Sequence, residues 1–307
     1  MEHWKKQWTP LLPKRVAEVL ERLDDNAPLL EIRLRCNAPL ELVFDGSDRV
    51  VFGNNGTPMI DADELHMLVA RLTAFSAYAW ENERRDGFIT VGGCRVGLSG
   101  RMIRTEDGVL GFSNVSGVCI RIVREVKDCA RPLLTHLTKN GAFLSTLLIS
   151  APGCGKTTLL RDLIRINSDG LYGVRASRVG VADERFELSG DSSGAIAFDL
   201  GMRTDVISGI TKADAMVRIV STLTPDILAM DELNSARDAE ALLDSRGKGI
   251  TVLATAHGSS LDELRMRQSI RTLLTENVFQ RIVILGGVGI LQSVLNGAGD
   301  RIDEADA

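Results

Sequence analysis

The chain has 307 residues, 44% of them hydrophobic and 25% charged, with a net charge of −5. That is the make-up of a globular protein long enough for two domains of ordinary size, and it excludes a disordered or fibrous chain. The acidic balance supplies no overall attraction to nucleic acid or to an anionic membrane, and no apolar run approaches the roughly 20 residues that span a bilayer.

The first residues, Met1 to Trp8, carry no apolar stretch of the signal-peptide kind, so none is expected. Leu12, Val16, Val19, Leu20 and Leu23 recur at helical spacing and predict a helix with one buried face over 11–23. Residues 29–34 alternate, and 40–44 follow after Asn37-Ala38-Pro39, which predicts two strands joined by a turn. Val50-Val51-Phe52 makes a third strand, ending at Gly53-Asn54-Asn55-Gly56. One or two helices are predicted over 61–80, with Leu65, Leu68, Val69 and Leu72 on one side. Residues 87–100 read as a hairpin about Gly92-Gly93, and 118–123 as another strand.

Residues 1–130 are therefore expected to form an α+β domain without a catalytic motif of its own. Its arginines (Arg33, Arg35, Arg95, Arg101, Arg104, Arg121 and Arg124) mostly alternate with apolar residues, as on a solvated sheet face. The sharper alternative is that one of them reaches a neighbouring subunit's nucleotide. Arg131-Pro132 marks a boundary. A short helix is predicted from Leu133 to Leu137, then strands near 145–150, 178–183, 226–230, 250–255 and 279–285 separated by helices or loops. Strand alternating with helix predicts an α/β domain over 131–307 with a mainly parallel sheet. The acidic tail, 300–307, is expected to fray. Five cysteines, Cys36, Cys94, Cys119, Cys129 and Cys154, are odd in number and form no C-x-x-C pair. They support neither a disulfide framework nor a zinc site and fit a reducing cytosol.

The most informative stretch follows Leu147-Leu148-Ile149. Ser150, Ala151, Pro152, Gly153, Cys154, Gly155, Lys156, Thr157 and Thr158 read as a glycine-bearing loop between a strand and an amphipathic helix. Such a loop turns successive N–H groups onto phosphate oxygens, with the positive end of the helix dipole behind them. Lys156 can reach the outer phosphates of ATP, and the Thr157 hydroxyl can ligate Mg2+. Ser150 stands where the G-x-x-x-x-G-K-T pattern has its first glycine; a serine serves there if its φ is negative.

Three further strands end in chemistry. Residues 225–232, P-D-I-L-A-M-D-E, place Asp231 and Glu232 after an apolar strand. An acid there can hold magnesium, with Asp231 the natural metal partner by position and Glu232 the natural base. The bland alternative is that the two acids cap the next helix. Residues 179–187 place Asp183 and Glu184 similarly, and in a parallel sheet both pairs fall on the phosphate-loop edge. Residues 251–257 end in a polar threonine and His257 before Gly258, a position suited to sensing the γ-phosphate.

Taken together, G-K-T-T-L-L-R-D at 155–162, V-A-D-E-R-F-E-L-S-G at 181–190, G-M-R-T-D-V at 201–206, P-D-I-L-A-M-D-E at 225–232 and T-A-H-G at 255–258 resemble the stage III sporulation protein AA family. E-I-R-L-R at 31–35 and G-F-I-T-V-G-G-C-R-V-G-L-S-G-R at 87–101 extend the resemblance over nearly the whole chain. That family is similar in turn to the traffic ATPases of type II and type IV secretion. The resemblance implies a RecA-like P-loop ATPase domain behind a smaller amino-terminal α+β domain, a homo-hexamer, and a motor at the mother-cell face of the channel complex between mother cell and forespore. It implies membrane-embedded channel partners and a cytoplasmic place, peripheral to the membrane through them. It assigns Asp183, Glu184 and Glu187 to an acidic box and His257 to a histidine box, and it favours Glu232 over Asp231 as the acid of the magnesium strand.

The expected activity is magnesium-dependent ATP hydrolysis, with Asp183, Glu184 or Glu232 positioning water and Arg203 or an amino-terminal arginine completing the site from a neighbour. The rival is an ATPase that handles nucleic acid; the acidic balance and an aromatic content of 5% speak against it. A nucleotide-binding scaffold without turnover is the third possibility.

Overall fold

In the first part of the chain, alternation of apolar and charged residues builds a sheet with one covered face. The computed structural model describes residues 3–24, 29–44, 47–51, 59–73, 87–91, 94–105, 108–122, 125–190, 198–287 and 289–302. The chain divides into two compact units, Met1–Arg124 with Gly190–Ser192, and Glu125–Ser189 with Ser193–Ala307. The turns at 53–56 and 92–93, the helical reading beyond residue 73 and the tail from 303 lie outside the described residues.

Unit one holds strands β1 (Leu29–Arg35), β2 (Glu41–Phe44), β3 (Ser47–Val50), β4 (Phe88–Val91), β5 (Cys94–Thr105) and β6 (Gly108–Arg121), in the order β3-β2-β1-β6-β5-β4. The described pairings are antiparallel. Ile32, Leu34, Leu42, Ile89, Val96 and Ile120 pack against helices α1 (His3–Trp8), α2 (Lys14–Glu21) and α3 (Ala62–Leu72) through Trp8, Leu20, Leu65 and Leu68. A capping box, Asp61 with Glu64, sets the start of α3. The charged positions of β1 stay on the other face, where Arg33 meets Glu31 at 2.7 Å and Arg35 meets Glu41 at 2.6 Å. The structure adds α1, and it lengthens β5 and β6 well beyond the short strands that the pattern predicts.

Unit two opens with a 3-10 turn (Arg131–Leu133), α4 (Leu134–Leu137) and a small hairpin of β7 (Thr138–Lys139) and β8 (Ala142–Phe143). Then come β9 (Thr146–Ser150), α5 (Lys156–Asp169), β10 (Val179–Asp183), β11 (Thr204–Ser208), α6 (Lys212–Thr222), β12 (Ile227–Met230), α7 (Ala236–Arg246), β13 (Thr251–His257), α8 (Leu261–Arg265), α9 (Gln268–Thr275), β14 (Arg281–Gly287) and β15 (Ile290–Asn296). The sheet order is β11-β10-β12-β13-β9-β14-β15. β11 through β14 in that order are parallel, and only β15 runs antiparallel on the edge. Leu147 and Ile149 enter one core cluster with Met216, Ile219, Leu242 and Leu273, while Leu148 enters another with Leu160, Leu163 and Ile164. A strand buried on both faces is apolar at most positions, which is why these strands read as runs; the buried polar Thr146, Ser150, Asp183 and Thr255 are the exceptions in them. β11 and β15 escape a pattern search because they are edge strands, with half-exposed positions and no such run.

Helix α6 lies so close to β10 that only glycine fits at 180. A Cβ there would come within 2.3 Å of Ile219 Cγ2 and 3.3 Å of Pro225 Cβ. Gly180→Ala is therefore expected to cost about 1–3 kcal/mol by overpacking, read as a lowered urea midpoint with an unchanged slope. An unchanged midpoint would mean that α6 is not seated on β10 this closely.

Candidate functional site

The parallel register brings the strand ends to one edge. His257 is the Cα partner of Ser150 between β13 and β9, and Met230 is the partner of both Ala254 on β13 and Ala182 on β10. The residues that follow, Ser150 onward, Asp231, Glu232, Asp183, Glu184 and His257, therefore share that edge.

The loop from Ser150 to Gly155 turns on glycine. Gly153 has φ +77° and Gly155 φ +85°, left-handed values that suit glycine, and a Cβ on Gly153 would meet nothing within 4 Å. Gly155 starts α5 without a side-chain cap, whereas α6, α7 and α8 are capped by Thr211, Ser235 and Ser260. The first N–H groups of a helix have no helical carbonyl within reach, so α5 presents uncapped donors to the loop. Ser150 is the buried last residue of β9, outside the left-handed region, which meets the condition for a serine at that position. Its hydroxyl donates to Ala151 O at 2.8 Å. Ala151, Pro152 and Gly153 are exposed, and Cys154, Thr157 and Thr158 are half-buried.

Lys156 is 5% exposed. Its ammonium donates to Ser150 O (2.8 Å), Ser150 Oγ (3.0 Å) and Ala151 O (3.0 Å), and lies 3.1 Å from His257 Nδ1. Burial pushes it below the ordinary lysine range, against the opposing pull of the Asp231, Cys154 and Glu232 charges. An anion arriving in the loop would relieve that cost.

Thr157 Oγ1 donates to Asp231 Oδ2 at 2.7 Å, so the phosphate loop and the end of β12 meet directly. Thr255 Oγ1 donates to Asp231 Oδ1 and accepts from Glu232 N at 2.8 Å. Glu232 has φ +60°, unusual for a residue with a side chain. Its carboxylate lies 2.8 Å from His257 Nε2 and 3.8 Å from Arg185 Nη1. Helix α7 is capped by Ser235 with Asp238, so Asp231 and Glu232 do not do that work.

Asp183 is spent inside its own turn. Its Oδ2 accepts from Leu188 N (3.2 Å), Ser189 N (2.7 Å) and Ser189 Oγ (2.7 Å), and the residue is 3% exposed. Glu184 Oε2 pairs with Lys212 at 3.1 Å. Arg161 donates to the Glu187 carbonyl at 2.8 Å, which ties α5 to the same turn. Arg203 donates to Ser168 O at 3.0 Å, at the far end of α5 from the phosphate loop in its own chain. Arg185 and Lys212 are the participants to which motif reading gives no role, whereas the threonine flagged before His257 is in place as Thr255. Thr255 is visible as a polar residue in an apolar strand; Lys212 has no sequence signal at all.

Thr157 and Asp231 offer hard oxygen donors of the sort magnesium takes together with waters and phosphate oxygens. Among the described residues no group of three or more His, Cys, Asp or Glu is arranged to hold a metal by itself. The donor set thus fits an ion bound jointly with a nucleotide. Among the described residues, no helix is long and apolar enough to cross a membrane.

Comparisons with known proteins give a family and a fold. The family model described as "Sporulation stage III, protein AA" matches residues 2–302. Stage III sporulation protein AA of Bacillus subtilis (strain 168) is 34% identical over 296 residues, covering 94% of each chain. Among solved structures, the Legionella pneumophila ATPase DotB superposes with a TM-score of 0.62 at 14% identity, over 96% of this chain and 82% of that one. The pilus retraction motor PilT with bound ADP gives 0.58 at 14% identity, over the same shares of 96% and 82%. The fold is shared with these two solved structures: α/β with a mainly parallel sheet, preceded in the chain by a smaller α+β unit.

Proposed function

We propose that this chain, which belongs to the sporulation stage III protein AA family, binds ATP and hydrolyses it with magnesium as the motor of a channel complex between mother cell and forespore. The observation that carries the reading is the 2.7 Å contact of Thr157 with Asp231, which joins a phosphate loop after β9 to an acid just past the end of β12, across the intervening β13. Backbone N–H groups of Gly153, Cys154 and Gly155 and the Lys156 ammonium hold the phosphates, since Pro152 has no N–H to give. Thr157 and Asp231 hold Mg2+, which would neutralise charge on the transferring phosphoryl group. Glu232 takes the proton of the attacking water, oriented by His257 on one oxygen and Arg185 on the other. His257 touches both Glu232 and Lys156, so it is suited to link phosphate occupancy to the base. Asp183 shapes the turn that presents Glu184.

The assembly we propose is a homo-hexamer that works in the cytoplasm, on the mother-cell side, against membrane-embedded channel proteins. Support comes from the family and from the fold shared with DotB and PilT. Phosphate release from ATP tests the activity. Turnover should be lost with EDTA and restored by Mg2+, and single-stranded DNA should leave it unchanged. Turnover that survives EDTA sinks the metal assignment. Stimulation of about tenfold or more by DNA would favour a nucleic-acid-handling ATPase instead, and binding without turnover would leave a scaffold.

A further inference from the structure

One ionic contact on the site's edge has no part in the roles above. Lys212 is the first residue of α6, directly after its Thr211 cap. Its side chain is only 8% exposed, and its ammonium lies 3.1 Å from Glu184 Oε2. Two costs are accepted there. An ammonium taken out of water is unfavourable unless paired, and lysine normally runs its head group to solvent. A cation in the first turn of a helix also opposes the helix dipole.

Both sides of the pair are built to hold it in one place. Phe186 has φ +57°, and Gly209, with φ +75°, packs so tightly on that ring that a Cβ would stand 3.2 Å from Phe186 Cζ. The turn after β10 is thus locked against the turn before α6. The Asp183 carboxylate fastens the same turn from inside through Leu188 N and Ser189. Glu184 nevertheless stays 37% exposed, so the pair does not consume its carboxylate. Along the edge Lys156, His257, Glu232 and Arg185 are in contact in that order, and Glu184, paired with Lys212, adjoins Arg185 in the chain.

We infer that Lys212 is a positioning residue for ATP hydrolysis: it holds the Glu184 carboxylate in the single orientation from which it helps Glu232 align the attacking water. The inference rests on the ATPase reading proposed above. The Lys212 ammonium pairs with Glu184 and not with Thr157 or Asp231, so its loss should act on turnover and not on nucleotide binding. Partners of this kind are worth about 10- to 100-fold in activity when removed.

The test uses the full chain with Lys212→Met, Lys212→Arg, Glu184→Gln and the double variant Lys212→Met with Glu184→Gln. Steady-state ATP turnover and separate binding of a fluorescent ATP analogue are measured for each. Lys212→Met should lower kcat about 10- to 100-fold with analogue affinity within about twofold of the parent. Lys212→Arg should recover most of the rate, and in the Glu184→Gln background the Lys212→Met change should have no further effect. Equal losses in both backgrounds, a loss of affinity in place of kcat, or an unchanged kcat would each overturn the inference while leaving the ATPase reading intact. If Lys212→Met unfolds at the assay temperature, Lys212→Gln carries the same comparison. An unmodified chain that binds the analogue yet never releases phosphate overturns the ATPase reading, and this inference with it.

Discussion

Lys156→Ala is expected to abolish ATP turnover and weaken nucleotide binding by on the order of 10²- to 10³-fold, the scale of losing a preorganised charge at a phosphoryl group. Lys156 is a buried cation, 5% exposed, whose ammonium faces loop carbonyls and one histidine. Burial holds it below the usual lysine range, so the residue gains most from an arriving polyanion. Its removal leaves the Ser150 and Ala151 carbonyls without their shared donor, and the circular dichroism and melting temperature of the variant must match the parent for the result to count. The measurements are phosphate release and analogue binding. A variant that folds and still hydrolyses ATP at the parental rate would disprove the phosphate loop as the site.

The second large effect separates the two acids after β12. Glu232→Gln should lower kcat by about 10²- to 10³-fold while ATP binding persists, because the amide keeps the shape but cannot accept the proton of water. Asp231→Asn should instead raise the Mg2+ concentration needed for half-maximal turnover by about tenfold or more. The different partners of the two side chains motivate the split. Asp231 faces Thr157 and Thr255, while Glu232 faces His257 and Arg185. A reversed pattern, with Glu232→Gln shifting the metal requirement and Asp231→Asn only the rate, would exchange their roles. Position in the chain favours the first assignment and the family resemblance favours the second, so the experiment decides between two concrete arrangements.

The partners of Lys156 also suggest how the site moves between steps. Phosphate oxygens that take the Lys156 ammonium must draw it from carbonyls and from His257. His257 is bonded through its other nitrogen to Glu232. In the proposed reading, occupancy of the loop and the orientation of Glu232 would be joined through one imidazole, in keeping with the ability of histidine to bond at both ring nitrogens.

Much of this protein is legible in its amino acids taken singly. The phosphate loop is local: glycines at 153 and 155 permit left-handed turns, and Lys156 and Thr157 follow within the same few residues. The five buried strands of the parallel sheet show themselves as apolar runs, because a strand covered on both faces admits a polar side chain only where a hydrogen-bond partner is supplied, as for Ser150, Asp183 and Thr255. Local backbone preference and burial are encoded by neighbours in the chain, so a linear reading reaches them. The relations among the strand ends are of another kind. That Thr157 meets Asp231, that His257 stands between Lys156 and Glu232, and that Lys212 answers Glu184 follow from the strand order β11-β10-β12-β13-β9, which brings residues far apart in sequence to one edge. Asp183 and Glu184 look equivalent as adjacent acids, yet one is folded into its own turn and the other is left half-open. Alternate side chains leave a strand on opposite faces, and a tight turn converts that difference of one residue into a difference of role. Composition and local pattern determine the strands, the loop and the choice of acids; the packing of α5 and α6 on the sheet decides which acid faces which cation, because contact between distant residues exists only once the sheet has closed.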